Sequence, residues 1–301
     1  MSVTVLRPGP LTTVQDEGRF GFLAQGIGSA GAMDTRAWRE GNALVGNTRG
    51  QAGLEMTVLG AQLRFDADTL CALTGADMPA SLDGTPVPRY TAFIVRAGQT
   101  LTIGAAKSGC RGYLAAAGGI DVPPVMGSRS TDRRCSLGGF EGRALKAGDV
   151  LPVGAPEGDI YSLAGRSLPA PVFESEVTVL AVPGPQTEPF TERGLRDFFS
   201  CAYTVTPDSD RMGLRLSGTA VENTGTDIIS DGIVPGAVQV PRSGQPIVLM
   251  ADRQTTGGYA KIAVVCSFEL WKLAQCRPGD RVRFEAVTVQ QAQQLAARKG
   301  S

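Results

Sequence analysis

The 301-residue chain carries 29 Lys and Arg against 29 Asp and Glu, so no global field draws it toward nucleic acid or an anionic membrane. It contains no histidine, which removes Ser-His-Asp and Cys-His catalysis, HExxH sites and His-bearing zinc centres together and leaves acid–base work to Asp, Glu, Lys, Tyr or Cys. No GxxxxGK[ST] phosphate loop is present and no dinucleotide fingerprint is read from it, so any nucleotide chemistry is expected to rest on another motif or another polypeptide.

With 39 Gly and 19 Pro set between short Val, Thr, Ile and Leu runs, the composition predicts a mainly β protein, and the length predicts two domains. The first run, Val3 to Leu6, stops at Pro8-Gly9-Pro10, with Leu11 to Val14 extending it after the break. A Gly-rich polar loop from Gln15 leads to Asp34, which is placed to cap a helix from Thr35 to Val45 whose Ala37, Gly41, Leu44 and Val45 share one face. Strand-like runs follow at 54–59, 61–65, 70–74, 92–95, 100–103 and 112–117, as a meander. Gly127 to Arg134 is a dense polar cluster, read as an exposed loop or as an anion or partner contact.

Gly154 to Pro171 has little apolar periodicity and is read as a linker. That gives domains at 1–165 and 166–301. Past it, Val177 to Val182 and Pro183-Gly184-Pro185 echo the opening of the chain. Gly98-Gln99, Gly112-Tyr113 and Gly148-Asp149 recur as Gly244-Gln245, Gly258-Tyr259 and Gly279-Asp280 with a declining offset, the pattern of a diverged duplication. Helices are predicted over Glu188 to Phe199, over Phe268 to Gln275 with Ser267 as cap, and at the C-terminus ending in Arg298-Lys299. Arg211 and Arg215 are expected to pair with acids on a barrel rim.

Six cysteines without a CxxC pair suit a reducing cytosol. The N-terminus has no basic-then-apolar leader, and no run approaches the roughly 18 apolar residues of a membrane span. A cytoplasmic protein is expected, with no metal site.

The densest chemistry lies between Ser230 and Lys261, read as strand, turn, strand and closing loop. That loop, Asp252 to Lys261, offers a carboxylate, an amide, two hydroxyls, a phenol and an ammonium around Gly257-Gly258. The glycines are expected to take left-handed φ so that backbone amides can approach a ligand, and the loop to be exposed enough that Lys261→Ala leaves the melting temperature unchanged. Asp231, Gln239 and Arg242 lie on the neighbouring segments.

The segments PGPLTTVQDEGRFGFLAQGIGSAGAMD, GSRST, SDRMGLRLSG, VPGAVQVPRSGQP and ADRQTTGGYAKIA closely resemble the family of the 5-oxoprolinase C subunit. The family is also called KipA-like or allophanate-hydrolase-subunit-2-like, and is related to the carboxyltransferase part of urea carboxylase. The resemblance runs from Gly9 to Asp280. It implies two tandem cyclophilin-like β-barrel domains with a few short helices, and two partner chains: a KipI-like B subunit, plus a lactam-utilisation A subunit. By motif it carries over Gln239, Asp252, Gln254, Thr255, Thr256, Gly257, Gly258, Tyr259 and Lys261, and in the first half Gly31, Asp34, Asn42 and Asn47. Ala260 stands where the family usually has Pro, which is expected to loosen the loop beside Lys261. Glu269 and Trp271 replace the usual Asp and Pro.

The function this resemblance implies is ATP-dependent opening of 5-oxoproline to glutamate with the partner subunits, ATP being bound by or shared with a partner. Carboxyl transfer between carboxybiotin and a urea-like or amide nitrogen is the alternative, with biotin on a separate carrier because no Met-Lys-Met attachment motif occurs. A non-catalytic, KipA-like regulatory binding protein is a third reading. In the enzyme readings Lys261 meets an oxyanion or phosphate and Asp252 or Tyr259 moves a proton. Gln239, Gln254, Thr255, Thr256 and the Gly257 and Gly258 amides hold the small amide or ureido substrate.

Overall fold

Strand follows strand along most of the chain in the computed structural model, which describes residues 1–48 and 50–298. The contacts divide it into two units. The first comprises Met1–Phe20 and Ala30–Phe173; the second comprises Gly21–Ser29 and the chain from Glu174 onward.

In the first unit two antiparallel sheets share one core. The six-stranded sheet runs in the order Val150–Pro152, Ser2–Arg7, Gln62–Phe65, Thr100–Ile103, Ala80–Leu82, Thr85–Val87, and the five-stranded sheet in the order Thr12–Gln15, Gly53–Thr57, Arg111–Ala116, Thr69–Gly75, Ala92–Val95. Alternate residues of each point inward, so Val3, Val5 and Leu63 from one sheet meet Val14, Leu54 and Leu114 from the other. Thr69–Gly75 is buried along its whole length. One face supplies Cys71 and Leu73 to this core, and the other packs Leu70 and Ala72 against Leu44 and Val45 at the end of the helix Thr35–Leu44. That helix starts where capping requires, with the Asp34 carboxylate accepting from the Ala37 amide at 2.9 Å.

In the second unit seven strands close into a barrel in the order Glu176–Pro183, Lys261–Val265, Ala237–Gln239, Ile247–Leu249, Gly213–Ser217, Ala202–Val205, Arg281–Ala286. The resemblance thus appears as a closed ring here and as two sheets around one core in the first unit. Each closing strand lies beside the opening one, Val150–Pro152 antiparallel to Ser2–Arg7 and Arg281–Ala286 parallel to Glu176–Pro183. The helix Glu192–Ser200 brings Phe198 onto the barrel, stacked on Phe284 at 4.6 Å between centroids.

Several expectations are corrected. The stretch 154–171 is no linker: Gly165 and Leu168 donate to the carbonyls of Ala92 and Tyr90, and the Arg166 carbonyl accepts from Ala92. The boundary therefore moves from 165/166 to 173/174. The second-unit helix begins at Glu192 rather than Glu188 because Thr191, beyond Pro189, is the residue whose hydroxyl reaches a free amide, that of Gly194 at 3.0 Å. Ser267 makes no cap; it opens a 3-10 turn, Ser267–Glu269, that runs into the helix Leu270–Ala274. The C-terminal helix spans Val289–Arg298, and Lys299 lies outside the described residues.

Candidate functional site

The loop expected from Asp252 to Lys261 is for the most part a strand. Thr256–Tyr259 pairs antiparallel with Asp227–Gly232 in a two-stranded ribbon, with a register shift between Asp227 and Asp231. Neither glycine of the pair takes a left-handed φ, unlike Gly236 or Gly244 nearby in sequence. The missing side chains serve packing instead. A Cβ on Gly257 would lie 2.6 Å from Ile233 Cδ1 and 2.8 Å from Gln239 Nε2, whereas one on Gly258 would meet nothing closer than the Ile228 carbonyl at 3.4 Å.

Lys261 opens the next barrel strand and is buried, 4% exposed, so the exposed loop lysine expected from the sequence is not what forms. Its ammonium donates to Asp231 Oδ2 at 2.6 Å and to the Gly232 carbonyl at 3.0 Å; of three ammonium donors, one remains for a ligand. Gln186 binds both partners, accepting from the Lys261 amide at 3.1 Å and donating to Asp231 Oδ2 at 3.1 Å. The Lys261 hydrogen bond, with help from the Gly232 amide, holds the Asp231 carboxyl below its ordinary range. Gln239, across the ladder from Lys261, is buried and donates to the Tyr259 carbonyl at 3.1 Å.

Of the other sequence-predicted residues, Gln254, Thr256 and Tyr259 are exposed, and the Thr255 carbonyl accepts from the Ile233 amide at 3.0 Å. Asp252 is corrected. Both of its oxygens accept from Arg211, Nε at 2.9 Å and Nη2 at 2.8 Å, with both side chains over 90% buried. A carboxylate so clamped is a poor proton carrier, and the arginine expected on the rim is an interior one. Arg242 instead makes an exposed pair with Asp227 at 2.6 Å. Ala260 is corrected too: it is fully buried and its amide donates to the Thr226 carbonyl at 2.8 Å. A proline has no such donor, so alanine here fixes the chain rather than loosening it.

Sequence reasoning missed Gln186 and Arg253. Gln186 follows Pro183-Gly184-Pro185 and has no motif signal; Arg253 was hidden between two residues given roles. Arg253 is 4% exposed and donates to the Ile233 and Met250 carbonyls and to the Ser29 hydroxyl. Burial pushes its guanidinium below the ordinary range.

In the first unit Gly31, Asp34, Asn42 and Asn47 hold structure. Gly31 has φ +92° within 2.9 Å of the Glu17 carbonyl, measured from a Cβ built on it. Asn47 ties the Asn42 side chain, at 2.7 Å, to the Ala116 carbonyl, at 2.8 Å. The 127–134 cluster is largely interior rather than an exposed loop: Asp16 accepts from the Gly18 and Arg129 amides and from the Ser128 and Ser130 hydroxyls. Two cavities of about 330 and 490 Å³ belong to this unit and include none of the sequence-predicted site residues. Gly26, Gly28 and Gly31 do spell G-x-G-x-x-G. They follow the 3-10 turn Leu23–Gln25 rather than a strand, so the strand–turn–helix that cradles a dinucleotide is not built. Among the described residues no cluster of acids and cysteines is arranged to hold a metal, and no helix is long and apolar enough to cross a membrane.

Residues 25–286 match the family model described as the carboxyltransferase domain, subdomain A and B. The chain is 42% identical to the 5-oxoprolinase C subunit of Escherichia coli (strain K12), over 96% of this chain and 92% of that protein. It is 35% identical to the urea amidolyase of Lachancea kluyveri, over 97% of this chain but 17% of that protein. Among solved structures it superposes on the K. lactis urea amidolyase with a TM-score of 0.90 at 32% identity, covering 99% of this chain and 19% of that one.

Proposed function

Since the chain belongs to the family of the carboxyltransferase domain, subdomain A and B, we propose that it is the C subunit of a complex that opens 5-oxoproline to glutamate at the expense of ATP. The observation that carries this choice within the family is length. The chain accounts for 92% of a protein named as a separate 5-oxoprolinase subunit, against 17% of a urea amidolyase.

The site suits the chemistry. Opening a lactam puts negative charge on the carbonyl oxygen, and a fixed, desolvated ammonium stabilises such charge far better than one in water. Lys261 is buried, is held by Asp231 and Gly232, and keeps one donor. Tyr259, exposed on the ribbon, takes the proton-transfer role that the clamped Asp252 cannot fill. Gln239, Gln254, Thr255 and Thr256 line the same segment with amide and hydroxyl groups for the lactam. ATP, bound by or shared with a partner, supplies the activation that an amide needs. The partners are the KipI-like and lactam-utilisation subunits, in the cytoplasm.

Carboxyl transfer from carboxybiotin, carried on a separate chain, to a urea-like nitrogen is the second reading, favoured by the superposition on the urea amidolyase. The test is reconstitution. The purified chain with 5-oxoproline and ATP is expected to form no glutamate, and addition of the two companion subunits to restore turnover. A reconstituted complex that leaves 5-oxoproline intact but carboxylates urea with carboxybiotin would establish the second reading. A chain inactive in both assays that nevertheless binds its KipI-like partner tightly would establish the regulatory one.

A further inference from the structure

Arg253 carries a buried positive charge that no described acid balances. It is 4% exposed. Its Nε donates to the Ile233 carbonyl at 3.3 Å and its Nη1 to the Ser29 hydroxyl at 3.2 Å and the Met250 carbonyl at 3.4 Å. All three acceptors are neutral, and no described group engages Nη2. A guanidinium stays charged at any working pH, so taking it out of water among neutral acceptors leaves most of its desolvation uncompensated. The second unit's other buried cations show the contrast. Arg211 has Asp252 on two nitrogens and Lys261 has Asp231, and those pairs engage the two carboxylates of this region. Burial alone, with no opposing carboxylate, accounts for the depressed guanidinium pKa of Arg253.

Its position ties it to the candidate site. Lys261 Nζ binds the Gly232 carbonyl, and Arg253 Nε binds the next carbonyl along the chain, that of Ile233. Ile233 in turn donates its amide to Thr255, and its side chain fills the space that a Cβ on Gly257 would take. Two cations are thus anchored on successive peptide groups, one a point charge satisfied by an acid and the other a planar fork without one. A planar fork matches a carboxylate, which accepts two parallel N–H donors.

We propose that Arg253 is the carboxylate subsite of this site, holding the α-carboxylate of a lactam acid while Lys261 meets the lactam oxygen. The inference rests on the 5-oxoprolinase reading and deepens it. In 5-oxoproline the carboxylate and the ring carbonyl flank the same nitrogen, so two adjacent cations of different geometry read both ends of the molecule. Urea has no carboxylate, so the subsite selects lactam acids over urea.

The experiment uses the reconstituted complex with 5-oxoproline and with its neutral analogue 5-oxoprolinamide, in steady-state kinetics and in calorimetric titration. The wild type is expected to favour the acid by about tenfold or more in kcat/KM and in affinity, the worth of a charge-assisted hydrogen bond. Arg253→Gln should raise KM for the acid by about the same factor, leave the amide nearly unchanged and so erase the preference; Arg253→Lys should keep part of it. The wild-type comparison needs no variant, so an Arg253→Gln that fails to fold does not decide the matter. Equal affinity of the wild type for acid and amide, or a folded Arg253→Gln that loses the same factor for both, overturns the subsite while leaving the lactam-opening reading in place. A complex that binds neither compound overturns both.

Discussion

Asp252 and Asp231 are two carboxylates of one unit with opposite prospects, and burial decides between them. Asp252 and Arg211 are both over 90% buried and bound at two points, so removing one charge strands the other in a poorly solvating interior. Asp252→Asn is expected to cost about 3 kcal/mol in a urea unfolding titration. If instead it left the midpoint unmoved and abolished turnover, the proton-carrier role assigned from the motif would return. Asp231 is more than half exposed and its link to Lys261 is read in its titration. Its pKa lies below the unfolded value of 3.8. Its contribution to stability is therefore present above that value and lost as pH falls through the lower folded pKa. Lys261→Met keeps most of the buried volume and removes the charge, so the Asp231 carboxyl should rise toward its ordinary range in an NMR titration. Turnover of the reconstituted complex should fall about a hundredfold, the typical loss for one preorganised donor. An unshifted Asp231 would mean that Lys261 does not hold it in solution.

At the scale of the element, the ribbon shows why a glycine pair need not be a turn. Gly257 is narrow because Ile233 and Gln239 occupy its side-chain space, while Gly258 faces open room, and both are extended. Gly258→Ala should change stability by less than about 0.5 kcal/mol and leave activity near wild type. Gly257→Ala should displace the Gln239 amide from the Tyr259 carbonyl, costing about 1 kcal/mol or more and much of the activity. Equal effects of the two substitutions, measured by melting and turnover, would refute this division. What was legible in the sequence was local. Asp34 caps its helix because its carboxylate needs only an amide three residues on, and the strand Ser2–Arg7 follows from its own alternation. Illegible were the features made by distant partners. The acid that clamps Arg211 lies 41 residues away, and Lys261 is buried by a barrel that no short window contains. Glycines were misread because their chain freedom is the commoner reason for using them, and absence of a side chain is invisible until its neighbour is placed.

For the whole molecule, the internal echoes survive where they are turns. Gly98 and Gly244, and Gly148 and Gly279, take left-handed φ between +75° and +96° in their respective units. Gly112-Tyr113 and Gly258-Tyr259 do not correspond in setting, the first lying in a buried strand and the second in the exposed ribbon. The two units also do not follow the chain. Residues Gly21–Ser29, which the sequence places deep in the first half, belong with the chain beyond Glu174, and Ser29 accepts from Arg253. A fragment beginning at Glu174 therefore lacks part of its own unit, including one of the three groups that hold Arg253. Cleavage at an engineered protease site between Phe173 and Glu174 should accordingly leave two pieces that co-elute on gel filtration, because 1–173 still carries the segment 21–29. Replacing 21–29 by a Gly-Ser linker of the same length should weaken that association and lower the melting temperature of the uncut chain. Single replacement of Ser29 by Ala should do less, since Arg253 keeps two carbonyl acceptors. If the nicked halves separated freely and each melted as the intact chain does, residues 21–29 would be a passive crossing strand, and the boundary of the second unit would fall at Glu174 alone.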